Sequence, residues 1–122
     1  MAPFRVVIAG SRQFSDFGLL CERLDALLAN KLAQGFEVVV LSGACRGADA
    51  LGERYAQERG FAVERFPAEW AAFGRSAGPV RNRSMAQACD AAVVFWDGVS
   101  RGTANMVSEA QAAGKPVRVV RV

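Results

Sequence analysis

Four segments of this sequence combine glycine, serine and arginine in a pattern that suits the binding of an anion. Small residues let backbone N–H groups approach a phosphate closely, and a helix that begins nearby adds a favourable dipole. Arginine contributes a planar fork of donors that matches phosphate oxygens. The segments are Gly10-Ser11-Arg12, Ser42-Gly43-Ala44-Cys45-Arg46-Gly47-Ala48-Asp49, the stretch from Pro67 to Ser84, and Trp96-Asp97-Gly98-Val99-Ser100-Arg101-Gly102-Thr103.

We expect these segments to form one site for a phosphate and a ribose, in which Asp49 accepts a ribose hydroxyl. Each role has a structural alternative. Asp49 would stabilise a helix start and Thr103 would cap a helix, whereas Arg81 and Asn82 would lie on a solvated face. If the site is catalytic, its candidates are Arg81, Asp97 and Asp49. The predicted ligand-binding residues are Gly10, Ser11, Arg12, Ser42, Gly43, Arg46, Gly47, Asp49, Arg81, Asn82, Asp97, Gly98, Arg101, Gly102 and Thr103.

Apolar strand-like runs alternate with helical segments along the chain. This alternation predicts a Rossmann-like three-layer α/β sandwich, with a five-stranded parallel sheet and four helices on its two faces. Right-handed crossovers favour the strand order 3-2-1-4-5. No linker interrupts the pattern, so residues 1–122 are expected to form a single nucleotide-binding domain. Strands are expected at 5–9, 36–41, 61–66, 91–96 and 117–122, and helices between 16 and 35, at 48–59, from 79 to about 89, and at 103–113.

The charge of the chain is concentrated where such a sheet binds ligands, outside the carboxyl ends of its strands. The formal net charge is +3, and all of this excess falls in the loops 10–15, 42–49, 67–84 and 96–103, while the remaining residues are neutral in sum. Arginine is abundant throughout the chain, so the enrichment in the loops is mild. Its placement nevertheless favours an anion site at this edge.

Several classes of site are excluded or disfavoured by composition. The chain has no histidine, which rules out Ser-His-Asp and Cys-His catalysis and any metal site that needs an imidazole. Cys21, Cys45 and Cys89 are widely spaced, which disfavours a disulfide framework or a thiolate zinc site. We therefore expect no metal and no cofactor, and we interpret the cysteines as small apolar side chains. Cys45 is the one placed for reactivity.

The apolar segments indicate a cytoplasmic protein. The first eight residues contain too short an apolar run for a signal peptide, and no segment approaches the ~20 apolar residues of a membrane span.

Within the expected loop 67–78, Trp70 and Phe73 have two interpretations: they stack on a base, or they cover the core.

Taken together, the motifs resemble the SLOG superfamily of Rossmann-like proteins, and most closely its small bacterial branch of YspA/YpsA-related proteins. The resemblance covers nearly the whole chain and implies a nucleotide or a nucleotide-derived ligand in the cleft. It also implies a homodimer or higher homo-oligomer. The motifs that carry it are Gly10-Ser11-Arg12, Ser42-Gly43 with Arg46-Gly47-Ala48-Asp49, Gly78-Pro79-Val80-Arg81-Asn82-Arg83-Ser84-Met85 and Arg101-Gly102-Thr103-Ala104.

The lonely-guy phosphoribohydrolases of this superfamily provide one alternative, cleavage of the N-glycosidic bond of a nucleoside monophosphate. Their pattern is matched by Arg81 four residues before Met85 and by Gly102-Thr103. The position of their glutamate falls on Met106, and a thioether cannot stabilise or attack an oxocarbenium-like state as a carboxylate does. The carboxylates that would have to substitute are Asp49, Asp97 and Glu109.

DNA-processing protein A provides the other alternative, single-stranded DNA binding through arginine contacts to the backbone. It resembles this chain in its Gly-Ser-Arg turn, its Ser-Gly…Arg-Gly-x-Asp loop and its Arg-Asn-Arg segment. A further possibility is a partner protein in stress or phage defence with a vestigial pocket. The main hypothesis is a sensor or weak processing enzyme for a nucleotide-like small molecule.

Overall fold

The computed structural model describes residues 2–122, and strands and helices alternate along them as the sequence predicts. The bounds are β1 (Pro3–Gly10), α1 (Phe17–Ala33), β2 (Glu37–Ser42), α2 (Ala48–Arg59), β3 (Ala62–Arg65), α3 (Trp70–Phe73), α4 (Ala77–Ala88), β4 (Ala91–Trp96), α5 (Arg101–Ala112) and β5 (Val117–Arg121). A 3-10 turn at Gly74–Ser76 joins α3 to α4.

The five strands form one parallel sheet in the order β3-β2-β1-β4-β5. In the middle of the sheet, Val7 of β1 is in register with Leu41 of β2 on one side and with Ala92 of β4 on the other. The strand order reverses between β1 and β4, which is the switch point where ligands of such sheets bind. The predicted Rossmann-like fold and strand order are confirmed.

Each face of the sheet has its own apolar core. Ile8 of β1 packs with Leu24 of α1 and Tyr55 of α2 on one face. Its neighbour Val7 packs with Met85 of α4 on the opposite face, together with residues of α5. Successive residues of a strand point to opposite faces, so a strand covered by helices on both sides must be apolar throughout. This requirement explains the continuous apolar run of β1.

Local signals set the start of α1 and the end of α2. Asp16 caps α1 by accepting a hydrogen bond from the backbone N–H of Leu19 at 3.0 Å. Gly60 ends α2 in the left-handed conformation, with φ of 74°, which residues with a Cβ rarely adopt. The bounds of α2 and β4 coincide with those that the sequence predicts.

Several bounds differ from the predicted ones by one or two residues, and two of the differences change how a helix begins. The segment predicted as a loop up to Gly78 contains α3 and the 3-10 turn, and α4 begins at Ala77. Pro79 remains in its first turn, where a missing N–H costs nothing. The last helix, α5, begins at Arg101 with Ser100 at its N-cap position. The interpretation of Thr103 as an ordinary cap is therefore wrong.

Within residues 2–122, no helix is both long and apolar enough to span a membrane.

Candidate functional site

A cleft of about 510 Å³ opens at the carboxyl ends of β1 and β4. This volume lies within the range of small-molecule binding sites. The loops that follow β1, β2 and β4 meet here with the first turns of α2 and α5 and with α4 from its second turn onward. Ten sequence-predicted residues line the cleft, namely Gly10, Arg12, Arg46, Asp49, Arg81, Asn82, Asp97, Arg101, Gly102 and Thr103.

The cleft carries an excess of positive charge. Arg12, Arg46 and Arg101 line it with exposed side chains, and Arg81 lines it with a half-buried one. The acidic residues in its lining are Asp49 and Asp97. Arginine guanidinium groups are always protonated at neutral pH, so four positive charges face at most two negative ones.

Arg81 is held in place by protein contacts that leave part of its guanidinium available. Its Nη1 atom donates to the carbonyl oxygen of Gly43 at 2.7 Å, and its Nε atom donates to Oδ1 of Asn82 at 2.8 Å. Within the described residues, Nη2 donates no hydrogen bond. The side chain is therefore oriented before any ligand arrives, with donors left to contact it.

Asn82 connects two helices at the wall of the cleft. Its side chain is buried, and Nδ2 donates to the carbonyl oxygen of Gly102 at 3.2 Å and to Oδ1 of Asn105 at 2.9 Å. Because Oδ1 of Asn82 also accepts from Arg81, both ends of the amide are engaged. The alternative of a solvated face is wrong for Asn82, which links α4 to the start of α5.

Asp49 is a buried carboxylate in the first turn of α2, with only 6% of its surface exposed. Burial raises its pKa from 3.8 to about 6, and this effect outweighs a hydrogen bond from the N–H of Cys45 and the charge of Arg81. Oδ2 accepts that N–H at 3.2 Å. Asp49 thus makes a contact at the helix start and also lines the cleft.

Gly43 lies between Arg81 and Asp49. A Cβ atom on Gly43 would stand 2.8 Å from Nη1 of Arg81 and 2.8 Å from Oδ2 of Asp49. No side chain fits this space without displacing one of the two charged groups. Gly43 itself does not line the cleft, so its side-chain-free backbone serves to bring the two together.

Asp97 organises the loop between β4 and α5. Its Oδ1 accepts the N–H groups of Val99 at 2.9 Å and Ser100 at 2.8 Å, and its Oδ2 accepts the hydroxyl of Ser100 at 2.9 Å. The two backbone hydrogen bonds, followed by the hydroxyl bond, lower its pKa from 3.8 to about 2. The N–H of Asp97 donates to the hydroxyl of buried Ser11 at 3.1 Å, which fastens this loop to the end of β1.

Other predicted site residues lie behind the wall of the cleft. The Ser42 hydroxyl donates to Oε2 of Glu53 at 2.6 Å. Gly47 has φ of 78°, and a Cβ there would collide with the carbonyl oxygens of Ser11 and Arg12. Gly98 has φ of 89° and packs against the guanidinium of Arg121. The predicted residues outside the lining are Ser11, Ser42, Gly43, Gly47 and Gly98.

Comparison with known proteins assigns the chain to a family. Residues 4–73 match the model of the "YspA, cpYpsA-related SLOG family". The Gene 61 protein of Mycobacterium phage D29 is 38% identical over 119 residues, which cover 93% of each protein. The chain belongs to the YspA, cpYpsA-related SLOG family. The predicted resemblance is confirmed.

Solved structures share the fold of this SLOG chain. DNA processing protein A from Streptococcus pneumoniae matches with a TM-score of 0.74 and 20% identity, over 99% of this chain and 51% of that one. The protein TM1055 matches with a TM-score of 0.64 and 26% identity, over 96% of this chain and 72% of TM1055. DNA processing protein A from Helicobacter pylori matches with a TM-score of 0.64 and 20% identity, over 97% of this chain and 65% of that one. That structure concerns the single-stranded DNA binding mode of the Helicobacter pylori protein. The chain spans about half of the length of the Streptococcus pneumoniae protein.

Several residues that line the cleft of this SLOG chain were not among the predicted ligand-binding residues. Buried Met85 and Met106, with Ala9, add apolar surface to the cleft. The resemblance to the phosphoribohydrolases placed Met85 and Met106 in the family pattern, but an apolar side chain gave no reason to assign either of them to ligand binding. Gln13, Val99 and Ser100 also line the cleft, and they lie next to predicted residues. Adjacency along the loops was the one signal that would have found them.

The three cysteines are free and differ in environment. Cys89 is buried, as the sequence predicts, and Cys21 is half-buried beside the ion pair of Arg59 with Asp25. Cys45 lines the cleft, where its thiol lies 3.7 Å from Nη1 of Arg81. Among residues 2–122, no group of three or more Cys, Asp or Glu side chains is placed to hold a metal ion.

Proposed function

We propose that this chain, as one domain over residues 1–122, binds a nucleotide or a nucleotide-derived phosphate ester as a sensor or weak processing enzyme. The observation that carries the proposal is the cleft at the switch point, where four arginines surround about 510 Å³ with at most two carboxylates. A phosphate neutralises this excess of charge, and forked guanidinium donors match its oxygens.

The start of α5 supports a phosphate at one end of the cleft. Ser100 occupies the N-cap position without a side-chain capping bond. The first N–H groups of a helix have no intrahelical partner, and they attract anions together with the helix dipole. Gly102 stands in open space, with no atom within 4 Å of the place a Cβ would take. A phosphate oxygen can therefore reach the backbone here.

Asp49 supports a sugar beside that phosphate. Its Oδ2 is occupied by the N–H of Cys45, whereas Oδ1 accepts no hydrogen bond within the described residues. Because Asp49 lines the cleft, this oxygen is placed to accept a hydroxyl of a ribose. Arg81 lies on the other side of Gly43, where it holds the adjoining anionic group.

Any processing activity would depend on Asp49 and Arg81. Asp97 has a pKa of about 2 and is committed to its loop, and Glu109 is paired with Arg83 at 3.3 Å. Met106 occupies the cleft where the related phosphoribohydrolases have a glutamate. The pKa of Asp49, about 6, lies near the range in which a general acid or base works best. N-glycosidic cleavage therefore remains an alternative that rests on one carboxylate.

Single-stranded DNA binding is the second candidate. It is favoured by the fold shared with the Helicobacter pylori protein and by exposed arginines at an open cleft. Such binding releases counterions, so affinity for an oligonucleotide would fall steeply with salt. A flat salt response would count against it.

A thermal-shift screen tests the main proposal. Ligands that bind only the folded state stabilise it by RT ln(1 + [L]/Kd), so the unfolding midpoint rises with the logarithm of ligand concentration above Kd. We expect nucleoside monophosphates to raise the midpoint and nucleosides to leave it unchanged. If the chain only binds its ligand, no free base should be released. A panel of phosphate esters that leaves the midpoint unchanged would contradict it. We further propose that the protein is cytoplasmic and forms a homo-oligomer. Sedimentation of the purified chain would test the oligomeric state.

A further inference from the structure

A small group of exposed apolar side chains lies near the cleft, on α3 and in the first turn of α4. We call it the aromatic patch: Trp70 is 54% exposed, Phe73 48% and Val80 38%. Neither aromatic ring belongs to the two cores of the sheet, so the interpretation that they cover the core is wrong. Large exposed apolar side chains in contiguous patches mark binding surfaces more often than single ones do.

Gly78 connects the aromatic patch to the cleft. A Cβ atom on Gly78 would stand 3.9 Å from Cη2 of Trp70 and 3.8 Å from Nη2 of Arg81. The indole ring and the free guanidinium nitrogen therefore border the same small gap, and no side chain fills it. The gap is bordered by the edge of the indole ring, at Cη2, and by a cationic nitrogen.

The geometry points to Trp70 as the platform on which the base of the bound nucleotide stacks, while Arg81 holds its phosphate or sugar. This inference rests on the proposed function and narrows it to ligands that keep an aromatic base. Every nucleobase presents a π face, and stacking on an aromatic side chain requires no particular base. The indole is the largest such surface that an amino acid offers.

The size of the aromatic patch favours a base over a second copy of the chain. Three half-exposed side chains of these types offer on the order of 300 Å². Stable interfaces between proteins bury about 800 Å² on each partner. A planar ring, by contrast, is covered fully by one indole. The position next to a cationic group further favours an occupant that carries a negative charge close to its ring.

The test compares AMP with ribose 5-phosphate in calorimetric titrations of the wild type, Trp70→Ala and Trp70→Phe. We expect Trp70→Ala to weaken AMP binding roughly 5- to 150-fold, the range of single stacking contacts, and to leave ribose 5-phosphate binding within twofold. Trp70→Phe should retain most of the AMP affinity. Leu32→Ala, which removes a 42% exposed side chain on α1, serves as the matched control and should change neither.

Fluorescence gives a second readout of the same contact. Bound AMP should quench the emission of the wild type and leave that of Trp70→Phe, in which Trp96 remains, nearly unchanged. If both ligands bind the wild type and Trp70→Ala weakens them equally or not at all, the inference is overturned while the proposed function stands. If neither ligand binds the wild type, both are overturned. A loss of self-association in Trp70→Ala without an AMP-specific effect would identify a second copy as the occupant and overturn the inference.

Discussion

The guanidinium of Arg81 and the carboxylate of Asp49 lie on either side of Gly43, each with an atom 2.8 Å from the position that a Cβ would take. The two side chains come from different helices: Arg81 lies in the second turn of α4 and Asp49 in the first turn of α2. Their proximity depends on a position without a side chain in the loop after β2. This arrangement places a fixed donor fork beside a buried acceptor, which is the basis of the proposed site.

Gly43→Ala should damage both stability and ligand binding. The added methyl group displaces either Arg81 or Asp49, and overpacking of this kind costs about 1–3 kcal/mol of unfolding free energy. Urea unfolding and AMP titration measure the two effects. Gly18→Ala is the control, because a Cβ on Gly18 would stand 3.7 Å from its nearest neighbour, Oδ1 of Asp16. This substitution should be neutral or slightly stabilising. Wild-type binding by Gly43→Ala would refute this role for Gly43.

Asp49→Asn should stabilise the protein at neutral pH. The pKa of Asp49 is raised from 3.8 to about 6 in the folded state, so the folded state holds this proton more tightly than the unfolded state. The wild type should therefore lose stability as pH rises from about 4 to 6, by about 2–3 kcal/mol from this group. Asp49→Asn removes that loss and should be the more stable protein at pH 8.

The measurement is urea unfolding of the wild type and Asp49→Asn at pH 4, 6 and 8. Glu22→Gln is the control, since Glu22 is exposed on α1, and it should follow the wild type. The same Asp49→Asn protein should bind AMP more weakly at pH 8, because its amide has one acceptor oxygen in place of two. A stability difference that does not change with pH would contradict the assignment.

Asp97→Ala should loosen the loop before α5. The change removes the acceptor of the Val99 and Ser100 N–H groups, which should exchange faster with solvent. The pKa of Asp97 is lowered to about 2, so its contribution to stability is present above pH 4 and is lost as pH falls toward 2. Hydrogen exchange of the two amides gives the readout. Ser100→Ala, which removes only a hydroxyl contact, should have a smaller effect on them.

Tyr55→Phe should weaken the fold and leave the cleft unaffected. The Tyr55 hydroxyl donates to Oδ1 of Asp25 at 2.7 Å, and Arg59 pairs with the same carboxylate at 2.9 Å. This contact joins α1 to α2 on the face of the sheet opposite α4. Its loss should cost about 1 kcal/mol of unfolding free energy, with AMP affinity unchanged. A change in affinity would show that α2 transmits strain to Asp49.

The sequence predicted those features that depend on local pattern. The apolar runs of β1 and β4 and the helix-ending Gly60 follow from local chemistry, and the strand order follows from right-handed crossovers. The turn α3 was missed because its four residues have no periodicity to detect. Whether a polar loop side chain faces the cleft or the protein depends on distant partners. Ser11 is engaged by Asp97, 86 residues away in the sequence, and no local signal reveals such a pairing.

The proposal that the arginine-lined cleft binds a nucleotide is tested most directly by titrating AMP into the wild type, Arg101→Ala and Arg118→Ala at low salt. Arg101 lines the cleft, whereas Arg118 is another exposed arginine, on β5, that does not. We expect measurable binding by the wild type and by Arg118→Ala, and about tenfold or greater weakening in Arg101→Ala, as for a lost charged hydrogen bond. Equal weakening by the two substitutions would contradict a specific site, since it would show that only the net charge attracts the ligand.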